Sequence, residues 1–156
     1  MRKTIGAVLV VDDDPFVNDI FTKCLTEEGY KVYSAKDGES GLALFVQYKP
    51  QILLLDLKIP KMDGIEFLEH IKSQIESPYS IIVATGHATD NHIQRCYELG
   101  VHMFLRKPVN VFELKGAVKR AFETLLFSKK LTREIQLKKQ AYDILKTTFN
   151  SIVEGC

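Results

Sequence analysis

Three consecutive carboxylates, Asp12-Asp13-Asp14, follow the apolar run Ala7 to Val11, and a single one, Asp56, follows the apolar run Ile52 to Leu55. A hydroxyl, Thr85, closes a third run that begins at Ile81, and a cation, Lys107, stands before Pro108 just after a fourth, Met103 to Leu105. An acid after a strand is more often a helix cap or a turn residue than a ligand, so no one of these positions carries much alone. Brought to one rim, they would form a site. Carboxylates gathered there repel one another, by about 4 kcal/mol per pair at a protein surface for charges 4 Å apart, so something positive must join them. Oxygen donors without His or Cys suit a hard cation, and Mg²⁺ takes one or two carboxylates while keeping waters and phosphate oxygens. A carboxylate held between such an ion and Lys107 is shielded enough for an anionic phosphoryl group to approach it, and carboxylates serve as phosphoryl acceptors. The chemistry expected is an aspartyl phosphate at Asp56, with Thr85 donating to a phosphoryl oxygen.

The elements that must position these residues alternate along the chain. Ala7 to Val11, Lys31 to Ser34, Ile52 to Leu55, Ile81 to Thr85 and Met103 to Leu105 read as strands, and the first, third and fourth are nearly all apolar, as buried parallel strands are. Between them lie helical patterns. The first starts at Pro15, with Phe16, Ile20, Cys24 and Leu25 expected inward, and stops at Gly29. The second carries Leu42, Phe45 and Val46 and ends before Pro50; the third runs from about Gly64 through Ile65, Leu68 and Ile71 and breaks toward Ser77-Pro78. Asp90 is the expected cap of a fourth, with Ile93, Cys96 and Tyr97 inward and Gly100 after it. A fifth starts near Val111 with Leu114, Val118, Ala121 and Leu125. This alternation predicts an α/β fold, a doubly wound five-stranded parallel sheet with helices on both faces. In such folds the ligand site lies beyond the carboxyl ends of the strands, where the four groups above stand.

The segments VLVVDDDP, LLLDLKIPKMDG, IIVATG and GVHMFLRKP resemble the four signature segments of the two-component response regulator receiver domain, in that family's order and spacing over about the first four-fifths of the chain. Chemotaxis receivers have the strand order 2-1-3-4-5, so that order is implied by the resemblance and not by the alternation of elements. The resemblance implies that Asp12 and Asp13 form the acidic pair, Asp13 binding Mg²⁺ directly and Asp12 through water. Asp56 would be phosphoacceptor and ligand, with the main-chain carbonyl of Lys58 completing the protein's share. Thr85 and Lys107 would contact the phosphoryl group, Phe104 would be the switch aromatic, and Lys107-Pro108 would be a cis peptide. The donor would be the phosphohistidine of a sensor histidine kinase or a phosphotransfer protein, and the surface altered would be that of the fourth helix, fifth strand and fifth helix. Asp14 reads as a first-turn acid and Asp63-Gly64 as a turn. Lys58 and His87 each read either as flanking the path of an attacking water, where they would tune the phosphate's lifetime, or as solvated loop residues, while His70, His92 and His102 read as solvated.

Residues 126–156 read as a helical extension beyond a receiver of residues 1–125. Leu131, Ile135, Tyr142, Leu145, Phe149 and Ile152 follow one another at spacings of four and three, with Lys138 the polar member, which reads as a coiled-coil linker or else as a solvent-exposed extension; a homodimer would form through this helix or through the face of the fourth and fifth helices. TTFNSIVEG is similar to the entry helix of a PAS-type sensory module, and the pattern breaks off at Gly155-Cys156, which fits the amino-terminal piece of a larger signalling protein. The 156 residues hold 21 Lys and Arg against 20 Asp and Glu, a balance that gives no electrostatic case for nucleic acid. No apolar run approaches the roughly 20 residues of a membrane span, and MRKTIGAVLVVDDD lacks a secretory cleavage pattern, so the cytoplasm is expected. Three cysteines without a CxxC pair argue against zinc and a disulfide framework, and Cys24 and Cys96 read as core. A phosphatase of the haloacid-dehalogenase type would need a second Asp where Lys58 stands; a dinucleotide fold would need glycines where DDDP stands. A receiver fold serving only for dimerisation is the remaining alternative, and on the leading reading the chain is a switch and not an enzyme.

Overall fold

Strands built of consecutive Val, Leu and Ile can be stable only when both faces are covered, and the sheet is arranged accordingly. A computed structural model describes residues 4–76 and 78–155. In chain order it contains β1 (Ala7–Val11), α1 (Pro15–Glu27), β2 (Lys31–Ala35), α2 (Gly38–Tyr48), β3 (Ile52–Leu55), α3 (Gly64–Gln74), β4 (Ser80–Thr85), α4 (Asp90–Glu98), β5 (Met103–Arg106) and α5 (Val111–Glu154). The five strands are parallel in the order β2-β1-β3-β4-β5. Alternate residues Leu9, Val11, Leu53, Leu55, Ile81 and Val83 join Phe45, Phe67, Ile71 and Cys96 in one core. Their neighbours Val8, Val10, Ile52, Leu54 and Ile82 are equally buried and point to the opposite face, where α1 and the first turns of α5 bury Phe21, Leu25, Leu114 and Val118. Tyr30 stacks on Phe122 and Lys115 pairs with Glu28, tying the end of α1 to α5.

Register decides where the strands end. Val11 lies opposite Leu55, and Leu55 opposite Val83, so the residues that follow β1 and β3 emerge side by side. The Asp56 amide donates to the Val11 carbonyl at 3.0 Å and the Asp12 amide to that of Ala35 at 3.1 Å, extending the ladder one residue into the acidic loop. Gly29, at φ 102°, ends α1 in the left-handed region that a residue with a Cβ adopts at a cost.

Several expectations about helix faces are corrected. Phe16 and Ile20 are 79% and 55% exposed, and Asn18 and Phe21 take the inward places beside Cys24 and Leu25. Asp14 is the N-cap of α1, accepting from the amides of Phe16 and Val17, not a residue of the first turn. Thr89, not Asp90, caps α4, its hydroxyl accepting from the His92 amide. Val46 and Tyr97 face outward, and Leu42 is half-buried. The expected break at Ser77 falls outside the described residues, as does the reading of Cys156; α3 itself ends at Gln74.

The chain divides into two units, residues 1–122 and 123–156. The second consists of the later turns of α5, whose Leu131, Ile135, Tyr142, Leu145 and Phe149 are exposed. No helix among the described residues is long and apolar enough to cross a membrane.

Candidate functional site

The loops after β1, β3, β4 and β5 meet at the carboxyl edge of the sheet. Asp12 is 2% exposed and Asp56 8%, and Lys107 lies between them: its Nζ donates to Asp12 Oδ2 at 2.6 Å and to Asp56 Oδ2 at 2.8 Å. The backbone supplies the other oxygens with donors. Asp12 Oδ1 accepts from the Asp14 amide at 3.0 Å, and Asp56 Oδ1 from the Lys58 amide at 3.1 Å. Burial pushes the Asp12 carboxyl above the ordinary carboxylate range, against the pull of its Lys107 hydrogen bond. Burial works against the Lys107 ammonium too, but the hydrogen bonds and charges of Asp12 and Asp56 outweigh it, and the lysine pKa is raised. One ammonium thus faces two buried carboxylates and offsets only part of their charge.

Asp13, which is exposed, completes a triad: one carboxylate oxygen each from Asp12, Asp13 and Asp56 lie within 4.8 Å of one another. A set of oxygen donors at that spacing fits a hard divalent cation. Asp14 is outside this group and serves the helix.

A cleft of about 540 Å³ opens over Asp56, with Thr85 and Lys107 on its wall and Lys58 and His87 at its mouth. Thr85 is buried, and its Oγ1 accepts from the His87 amide at 3.4 Å, which leaves the hydroxyl hydrogen to be donated elsewhere. A neighbouring cleft of about 600 Å³ runs from Thr85 to Phe104. Phe104 is half-buried, and its ring meets that of Tyr97 edge-on with centroids 5.1 Å apart. The peptide Lys107-Pro108 is cis. Asp63 caps α3 through the Glu66 amide, and His70, His92 and His102 are exposed.

One positioning residue was not foreseen from the sequence. Asn18 is 2% exposed, and its Nδ2 donates to the carbonyls of Asp12 at 3.0 Å and Ala35 at 2.9 Å. It pins the end of β1 to the end of β2 directly behind the acidic pair. The only signal in the sequence is an amide one turn after the Asp14 cap.

The model of the response regulator receiver domain matches residues 8–119, the span that holds all of these groups. The chain belongs to the response regulator receiver family. This receiver is 34% identical over 113 residues to sporulation initiation phosphotransferase F of Bacillus subtilis, covering 72% of this chain and 90% of that protein. It is 30% identical over 135 residues to the nitrogen assimilation regulatory protein NtrX of Azorhizobium caulinodans, covering 85% of this chain but only 29% of the relative. Among solved structures, a CheY-like receiver domain protein from Methanospirillum hungatei superposes with a TM-score of 0.75 at 28% identity, over 80% of this chain and 99% of that one. The sheet order of the receiver is therefore the one implied by the resemblance, and neither the phosphatase nor the dimerisation-only reading is favoured.

Proposed function

We propose that Asp56 is the phosphoacceptor of this receiver and that Lys107, placed between Asp12 and Asp56 at 2.6 and 2.8 Å, is the observation that carries the reading. The Asp56 carboxylate attacks phosphorus, forming a P–O bond as the P–N bond of a kinase or phosphotransfer-protein phosphohistidine breaks. Two like charges must approach in this step. Lys107 lowers the cost, since at a surface an ammonium within about 4 Å offsets on the order of 4 kcal/mol of repulsion per charge. The donor set of Asp12, Asp13 and Asp56 fits Mg²⁺, which Asp13, Asp56 and the Lys58 carbonyl would hold, with Asp12 reaching it through water, and which would supply neutralisation of phosphoryl charge. Thr85 donates its hydroxyl hydrogen to a phosphoryl oxygen. Drawn toward the phosphoryl group, Thr85 vacates space in the cleft it shares with Phe104, and movement of Phe104 into that space alters the surface of α4, β5 and α5.

The outward face of α1 supports this reading. Ile20 lines the cleft and is 55% exposed, and Phe16, one turn before it on the same helix, is 79% exposed, so α1 offers apolar side chains beside the cleft to a protein donor. Lys58 and His87 beside the cleft tune the lifetime of the phosphate by their effect on an attacking water. Residues 1–125 act as the receiver, 126–156 as its extension, in a cytoplasmic protein that switches and does not turn over a substrate. The test is intact-mass measurement after acetyl phosphate. One phosphoryl adduct is expected with Mg²⁺, none after chelation and none in Asp56→Asn; an adduct of the same yield in Asp56→Asn overturns the assignment.

A further inference from the structure

A helix isolated in water is marginal even when its residues favour it, and helices in proteins hold chiefly through burial of an apolar face. Beyond residue 122, α5 continues to Glu154 with Leu131, Ile135, Tyr142, Leu145 and Phe149 between 46% and 70% exposed. Their spacings of four and three are those of heptad d and a positions, with Lys138 at the remaining d. The same spacing runs back through Ala121, Ala117 and Leu114, which are buried in the receiver, and is interrupted by polar Thr124 and Ser128. The stripe that begins at Leu131 is therefore a second apolar repeat along α5, distinct in sequence from the one that the receiver buries.

We infer that this stripe pairs with the same stripe of a second copy of the chain, as a parallel, in-register, two-stranded coiled coil. The flanking charges choose the partner and its direction. With Leu131 at d and Ile135 at a, Glu134 falls at g and Lys139 at the following e. In a parallel pair each Glu134 meets Lys139 of the other copy, twice per dimer. In the antiparallel arrangement that overlaps the same layers, Lys139 would face Lys139. Lys138 sets the register. An in-register pair confines both ammoniums to one layer, from which their stems reach out toward water, whereas a slip of one heptad places each in an otherwise apolar layer. The pairing does not depend on Asp56, and it is expected unchanged in Asp56→Asn.

Sedimentation of the full chain should give twice 17.8 kDa, and Leu145→Asp should give 17.8 kDa with the receiver still folded by circular dichroism. Glu134→Lys and Lys139→Glu should each weaken the dimer by roughly two- to fivefold, and the double exchange should restore it, the scale of a few exposed ion pairs. Leu145→Cys, in a Cys156→Ser background with Cys24 and Cys96 buried, should oxidise to a 145–145 disulfide. A monomer at all concentrations, a trimer or larger species, no rescue by the double exchange, or a dimer that forms no 145–145 disulfide would each overturn the inference.

Discussion

Removal of the Lys107 ammonium tests the electrostatic logic of the site without any phosphoryl donor. In Lys107→Met the stem is kept and the charge is lost, leaving Asp12 and Asp56, 2% and 8% exposed, beside each other with no counter-ion. Breaking a buried pair by deleting one partner costs about 3–5 kcal/mol. Here the lysine side chain is 18% exposed, and Asp12, already held above the ordinary carboxylate range by burial, can take up a proton, so about 2–4 kcal/mol is expected at pH 7 in the presence of a chelator. Urea unfolding with an unchanged slope measures it. Adding Asp56→Asn to Lys107→Met should return part of the loss, because one of the two repelling charges is gone. Mg²⁺ should stabilise Lys107→Met as well, by replacing the missing charge. The wild type also has an alkaline signature: a raised lysine pKa means that its contribution is whole below the ordinary value of about 10.4 and is lost as pH climbs through the higher folded value. A Lys107→Met protein within about 1 kcal/mol of wild type, or no relief from Asp56→Asn, would refute the reasoning.

Other outcomes follow from the surroundings. Asn18→Ala removes the donor to the buried Asp12 carbonyl, and should lower stability by about 1–3 kcal/mol in urea unfolding and slow acetyl phosphate labelling without abolishing it. Gly64→Ala would set a Cβ 2.6 Å from Leu57 Cα and 3.2 Å from the Asp56 carbonyl oxygen, so the acceptor loop must shift; roughly 1–3 kcal/mol of destabilisation and reduced labelling are expected, read on the same two assays. Burial raises the Cys96 thiol to about 11, so it stays protonated at pH 8, and in a Cys156→Ser protein neither Cys24 nor Cys96 should react with iodoacetamide until urea unfolds the chain.

The strands were legible because continuous apolar runs bounded by acids and turns admit few other structures, and the acidic rim was legible because parallel strands of similar register bring their carboxyl ends together. Helix faces were less so. Apolar residues such as Phe16, Ile20 and Tyr97 suggest an inward side, yet in α1 the inward places go to Asn18, Phe21, Cys24 and Leu25, and Phe16 is left exposed. Asn18 was invisible for the same reason: an Asn within a helix usually faces water, and only the two carbonyls it meets, 6 and 17 residues away in sequence, make its burial stable. Thr89 and Asp90 are both good caps, and backbone geometry alone separates them.

Borohydride reduction of the protein freshly treated with acetyl phosphate and Mg²⁺ traps an aspartyl phosphate as homoserine, and peptide mass spectrometry locates it. Homoserine at position 56 is the predicted result. Homoserine at position 12 or 13, or none anywhere in a folded and Mg²⁺-loaded sample, would contradict the assignment of Asp56.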